Sequence, residues 1–128
     1  MPRNRKSPAQ LATEAGDLVR SLNHATLDSG AYAYPGDVDA TVQALAILTG
    51  RLPQAISQSG TALTAMAVAG RVRLDAMGDQ TPLTGHLAGA AVAVTRAVHA
   101  CAALESALKE LGSYTCRLAF AEPQELSA

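Results

Sequence analysis

The chain is expected to fold as an all-α, elongated antiparallel helical bundle, and three observations carry that expectation. Residues 81–112 hold the longest uninterrupted helical pattern, with Leu83, Leu87, Ala90, Val94, Val98, Cys101 and Leu108 on one stripe, joined by Leu104 and Leu111. Two earlier stretches, 8–27 and 38–76, repeat apolar residues every seven positions. Glycine and proline near 30, 36, 50–53 and 78 then divide the chain into four helical segments.

In chain order, residues 1–7 read as a basic flexible arm carrying Arg3, Arg5 and Lys6. Ser7 followed by Pro8 opens the first helix, in which Leu11, Ala15, Leu18, Leu22 and Ala25 keep their repeat to Leu27, and Gly30 ends it. After Pro35-Gly36, Asp37 and Asp39 suit the start of a second helix, where carboxylates meet the positive end of the helix dipole. Val42, Leu45, Leu52, Ile56, Leu63 and Met66 hold one phase straight through Pro53, whereas Gly50 and Pro53 together form a stop and a restart. Leu52 precedes a proline and is pushed away from the helical region. The expectation is therefore helix two from 38 to 51, a corner at Arg51-Leu52, and helix three from Pro53 to Ala76; one long helix kinked at Pro53 is the alternative. Gly60 and Gly70 fall inside the third segment. After a turn at 77–80, Thr81 as N-cap and Pro82 at the first helical position start the fourth helix, the spine of the bundle, and Gly112 stops it with a left-handed conformation. At 1.5 Å per residue that spine is roughly 45 Å long. The bundle spans 8–112, and 113–128 form a C-terminal tail, partly disordered. Alternation of Tyr114, Cys116, Leu118 and Phe120 there suits an extended segment laid on the bundle or a helix extension.

Composition narrows the function more than it names it. Hydrophobic residues make up 48% but aromatic residues only 3%, and much of the apolar content is Ala, so helices approach closely around a thin core. A net charge of −1 gives neither nucleic acid nor an anionic membrane a dominant positive field to meet. The most apolar window, 87–104, contains Arg96 and His99, a poor match for a spanning segment. Cys101 and Cys116, fifteen positions apart with no second pair, read as reduced thiols of a cytoplasmic protein, Cys101 as a small buried hydrophobe. The basic N-terminus leads into an amphipathic helix in place of an apolar core, so Sec export is not expected.

Catalytic patterns are sparse. His86 and His99 are thirteen positions apart and face different ways on one helix, and His99 and Cys101 are misaligned as a base and a nucleophile. Asp75 and Asp79 decorate a solvated end. With no glycine-rich phosphate loop and no metal-ligand spacing, neither a cofactor nor a metal is implied, and the chain reads as a non-enzyme.

Two local patterns bear on partners. Leu45, Ala46, Gly50 and Ile56 place apolar residues and a bend so that 41–60 resembles a repressor-type helix-turn-helix, departing from it at Thr49, Arg51 and Ser59. That resemblance implies Gln54, Ser57 and Gln58 at base edges and Arg51 at a phosphate; the plain reading is a corner between two bundle helices. Tyr34-Pro35-Gly36 resembles the Trp-x-Gly turn of the WXG100 family of secreted helical hairpins. Tryptophan is missing, the chain is longer, and Leu118 stands where an acid would complete an export signal after Tyr114, so the family's function is not carried over.

The reading reached is a non-enzymatic interaction module, an adaptor, inhibitor or assembly subunit. It offers a helical face and the Tyr32/Tyr34 loop to a protein partner and forms a homodimer, through the Ala-rich face from Gly89 to Ala103. The plain reading of the two tyrosines is a plug for the bundle end. A DNA-binding regulator using Arg51, Gln54, Ser57 and Gln58 is the alternative.

Overall fold

The computed structural model describes residues 5–75 and 82–123. Helix α1 (Pro8–Ala25) and a short 3-10 turn (Ser29–Ala31) lead into two long helices, α2 (Pro35–Val68) and α3 (Leu83–Thr115), and no strand occurs among the described residues. The fold is all-helical, but with three α-helices where four segments were expected.

The first helix begins as its sequence dictates. The Ser7 hydroxyl accepts the Gln10 N–H at 3.1 Å while the Gln10 side chain accepts the Ser7 N–H at 2.7 Å, a reciprocal cap that satisfies two otherwise orphaned donors. It ends at Ala25, before the expected Leu27, with the Thr26 N–H bonded back to the Leu22 carbonyl.

Helix α2 corrects the expected corner at Arg51-Leu52: the backbone runs helically from Pro35 to Val68 with Pro53 inside it. An interior proline removes one backbone bond and costs about 3 kcal/mol. The opposing term is tertiary. Val42, Ala46 and Thr49 are buried on one stripe, and Pro53, Ile56, Gly60, Leu63 and Ala67 continue it half-buried, all spaced alternately four and three apart. A corner at residue 51 would lift half of that stripe off its partner helix. Helix α2 ends at Gly70, the one positive-φ glycine among the described residues (φ 71°), where the Arg71 N–H reaches the Met66 carbonyl at 2.9 Å and the Gly70 N–H the Ala67 carbonyl at 3.0 Å. These two bonds are the Schellman closure that a left-handed glycine permits. The third segment therefore stops short of the expected Ala76.

Helix α3 starts at Leu83 with Pro82 as the flanking cap residue; the expected N-cap Thr81 and the turn at 77–80 lie outside the described residues. It also runs through Gly112, expected as its stop, to Thr115. Gly112 is buried in the helix, and a Cβ there would sit 2.7 Å from the Gln43 Nε2, so its glycine serves close approach.

Helices α2 and α3 form an antiparallel hairpin whose register is fixed by paired residues. Asp39 lies against Thr115, Gln43 against Gly112, Gly50 against Glu105 and Gly60 against Val94. Many seam residues are small (Ala46, Thr49, Gly60, Ala67, Ala90, Gly112), which brings the backbones together at the cost of apolar volume. Only Val42 and Ala46 are buried hydrophobic residues among those described. Cys101, expected buried, is half-buried, and Cys116 is exposed; both are free thiols.

Candidate functional site

One end of the hairpin is closed by polar contacts. The Asp39 carboxylate accepts the Thr115 hydroxyl at 2.6 Å and the Gln43 amide at 3.2 Å, tying the start of α2 to the end of α3. Helix α2 starts at Pro35, earlier than the expected 38, so Asp37 lies in its first turn and accepts the Tyr34 N–H at 3.1 Å. Asp39 was expected in the same first-turn role and instead bridges two helices.

The tyrosine loop sits at this end. Tyr32 is half-buried, whereas Tyr34 is exposed and meets Phe120 edge to face, ring centroids 5.1 Å apart. After α3 the chain turns at 116–117 and continues without regular structure from Leu118, which carries Phe120 back to the loop. The described tail after Thr115 is a turn at 116–117 followed by irregular chain that meets the bundle through Phe120, while Tyr114 itself lies in the helix, which extends past Gly112, and is exposed. Phe120 was missed as Tyr34's partner, since no local spacing relates positions 34 and 120.

A second surface runs along the hairpin. In a pair of antiparallel right-handed helices, residues that directly precede seam positions fall on one edge of both helices, and residues that follow them fall on the other. On the following edge, Ser57, Thr61, Thr64, Val68, Leu87 and Ala91 line an open groove of about 580 Å³. On the preceding edge lie Val38, Leu45, Leu52 and Met66 of α2 and Leu104 and Leu111 of α3. Leu52, Met66, Leu104 and Leu111 are exposed by 40%, 49%, 49% and 45%. All four were expected on the buried stripe; each is displaced by about 100° from a seam position, because the 3.6-residue turn sets the seam one residue further along. Helix α1 covers only the flank of this edge. Its Leu18, Val19 and Leu22 face Ala40, Thr41, Ala44, Leu45 and Leu48 across a groove of about 410 Å³, and Leu18 stays 72% exposed.

The residues proposed to read DNA lie on a helix with no turn. Arg51, Gln54, Ser57 and Gln58 are all exposed on α2. Arg51, Gln54 and Gln58 share the side of α2 turned away from α3, and Ser57 lines the 580 Å³ groove. The bend at Gly50 that a helix-turn-helix needs is replaced by continuous helix, with Glu105 packed over the glycine and paired with Lys109 at 2.7 Å.

The three histidines are exposed and separate, and no three His, Cys, Asp or Glu side chains among the described residues are grouped to hold a metal ion. Lys6, at the edge of the basic arm, pairs with Glu14 at 2.8 Å, which leaves Arg5 as the arm's described cation without an ion pair. Helix α3 is long and apolar enough by composition to cross a membrane, with a mean hydropathy of 1.6 in its most apolar window.

Fold and surfaces together define a class: a helical hairpin with a flanking amphipathic helix and an incompletely covered apolar exterior. No known protein family matches the chain, and no curated protein or solved structure matches it either.

Proposed function

We propose that this protein is a non-enzymatic helical interaction module, working as a homo-oligomer, that presents the Tyr34–Phe120 end of its hairpin to a protein partner. The observation that carries the reading is the location of the large apolar side chains. Tyr34, Leu52, Leu104, Leu111, Tyr114, Leu118 and Phe120 are all exposed, whereas two modest side chains, Val42 and Ala46, are buried. Large aliphatic and aromatic groups left in water at this density mark surfaces that another protein covers. An edge-to-face aromatic pair at a helix-bundle end offers wide contact area at low entropic cost, because each ring has only two side-chain torsions to immobilise.

Site-specific photocrosslinking tests the reading, with the crosslinker at position 34 or 120 in living cells of the source organism. The expected result is one discrete protein adduct that is absent when the crosslinker stands at Gly16, on the far helix. Salt-dependent retention on DNA, abolished by Arg51→Ala together with Gln54→Ala, is the opposite result and assigns the protein to DNA regulation instead.

A further inference from the structure

We propose that the leucine-bearing edge of the hairpin is the interface with a second copy of this chain, packed antiparallel about a twofold axis. The inference rests on the reading of the protein as an interaction module and names one of its partners and the face used.

The first argument is area. The chain exposes 10424 Å² at a mass of 13.1 kDa. A compact monomer of that mass exposes roughly 6,400 Å², so about 4,000 Å² is in excess. A standard interface removes about 1,600 Å² from water in total, well within that excess for two chains. The edge itself is the right size. Between Val38 and Met66 it is about 42 Å long at 1.5 Å per residue and, two helices wide, about 20 Å across; without the quarter that α1 faces at Ala40, Thr41, Ala44, Leu45 and Leu48, roughly 600 Å² per copy is open, the low end of a specific interface.

The second argument is charge. On α2 the positions facing this edge, 38, 45, 52, 59 and 66, are Val, Leu, Leu, Ser and Met, and on α3 positions 93, 97, 100, 104 and 111 are Ala, Ala, Ala, Leu and Leu. No ionised group opposes its own image across a twofold axis. The opposite edge is different, since it carries Lys109, which pairs with Glu105 of the seam. The outward side of α3 carries Arg96 and His99, both exposed.

Shape sets the orientation. Leu52, Leu104 and Leu111 occupy one half of the edge, beside the Leu45 and Leu48 that α1 faces, and Ala55, Ser59, Ala62, Ala93 and Ala97 occupy most of the other. An isologous interface must be self-complementary, each patch meeting the other across the axis. An antiparallel pair sets the leucines of each copy over the small residues of its mate, with Leu18 of α1 at the rim.

Sedimentation equilibrium of the full chain at micromolar concentration, with far-UV circular dichroism on each variant, is the test. The expected wild-type mass is twice 13.1 kDa. Leu52→Ala and Leu104→Ala each keep the helical spectrum and raise the dimer dissociation constant roughly tenfold or more, as truncation of central anchors does. Val92→Glu, on the outward side of α3, leaves the constant unchanged. A wild-type monomer, a dimer indifferent to both leucine truncations, or a monomer that binds phosphatidylcholine vesicles instead overturns the proposal. A monomer that still gives the position-34 crosslink removes the dimer, and with it the homo-oligomer, and keeps the protein-partner reading of the Tyr34–Phe120 end; a dimer with no crosslinked partner does the reverse.

Discussion

The two apolar surfaces of the hairpin are built oppositely. Along the seam between α2 and α3, Ala46, Thr49, Gly60, Ala90 and Gly112 let backbones approach, and the helices meet through little side-chain volume. Along the neighbouring edge, Leu52, Leu104 and Leu111 stand almost half-exposed. A monomer built for its own stability places the bulky groups inside, where each contributes about 1.5–3 kcal/mol on full burial. Here small residues sit among the half-buried Ile56, Leu63, Leu87 and Val94 of the seam, while several of the leucines stand outside it in water.

Substitutions in the seam and on the edge sharpen that contrast. The largest effect is expected at Gly60, where a Cβ would already lie 3.2 Å from the Val94 Cγ2 and the β-branched neighbour has little room to turn. Gly60→Leu should destabilise the fold by about 2–3 kcal/mol in urea unfolding, as overpacking does. The equally bulky leucines of the outer edge contribute far less to the isolated chain, so Leu104→Ala should cost it below about 0.5 kcal/mol at dilutions where association is lost.

The polar lock at the closed end comes next. Removing the Asp39 carboxylate takes away the nearer acceptor of the buried Thr115 hydroxyl and leaves it the Gly112 carbonyl at 3.4 Å, so Asp39→Ala should cost about 1 kcal/mol. Thermal melts of Asp39→Ala, Thr115→Val and the double variant should be non-additive, since the pair share one bond. Pro53→Ala should act in the other direction. It restores the backbone donor to the Thr49 carbonyl, and a gain of about 1 kcal/mol is expected after the loss of the half-buried ring's contacts. The smallest effect is Gly50→Ala, a gain of about 0.5 kcal/mol in the same melts. The nearest atom to the new Cβ is the Glu105 Oε2, the far end of a flexible side chain that swings aside while the helix gains propensity.

These elements also show what the chain reveals before it folds. The Ser7-Pro8 helix start and the long final helix are local or periodic, and the structure retains them; of the seven-residue phase through Pro53 it keeps Val42, Ile56 and Leu63 on the seam. Glycine was the ambiguous letter. Gly70, placed inside a helix, is the left-handed terminator, and Gly112, placed as a terminator, is a contact point inside one. A glycine serves either backbone freedom or close approach, and only the position of the facing helix decides which. Pro53 and Gly50 give a local stop, yet the facing α3 outweighs them because a corner would uncover half the seam. The stripe itself was read one residue off at Leu52, Leu104 and Leu111, since leucines dominate a hydrophobicity pattern even where alanine and glycine line the contact. At the candidate site, Tyr34 was visible as a loop aromatic, whereas its contact with Phe120 depends on the tail folding back and has no local sequence mark.

Isotope-filtered NOE spectroscopy, which separates contacts within one chain from those between copies, tests most directly that small residues close an unbroken hairpin. The prediction is an intrachain contact between the Gly60 Hα and the Val94 methyl groups, with helical sequential contacts continuing from Thr49 across Gly50 to Ala55. Loss of helical contacts at Arg51-Leu52, or a Gly60 that meets Val94 only between copies, would contradict it.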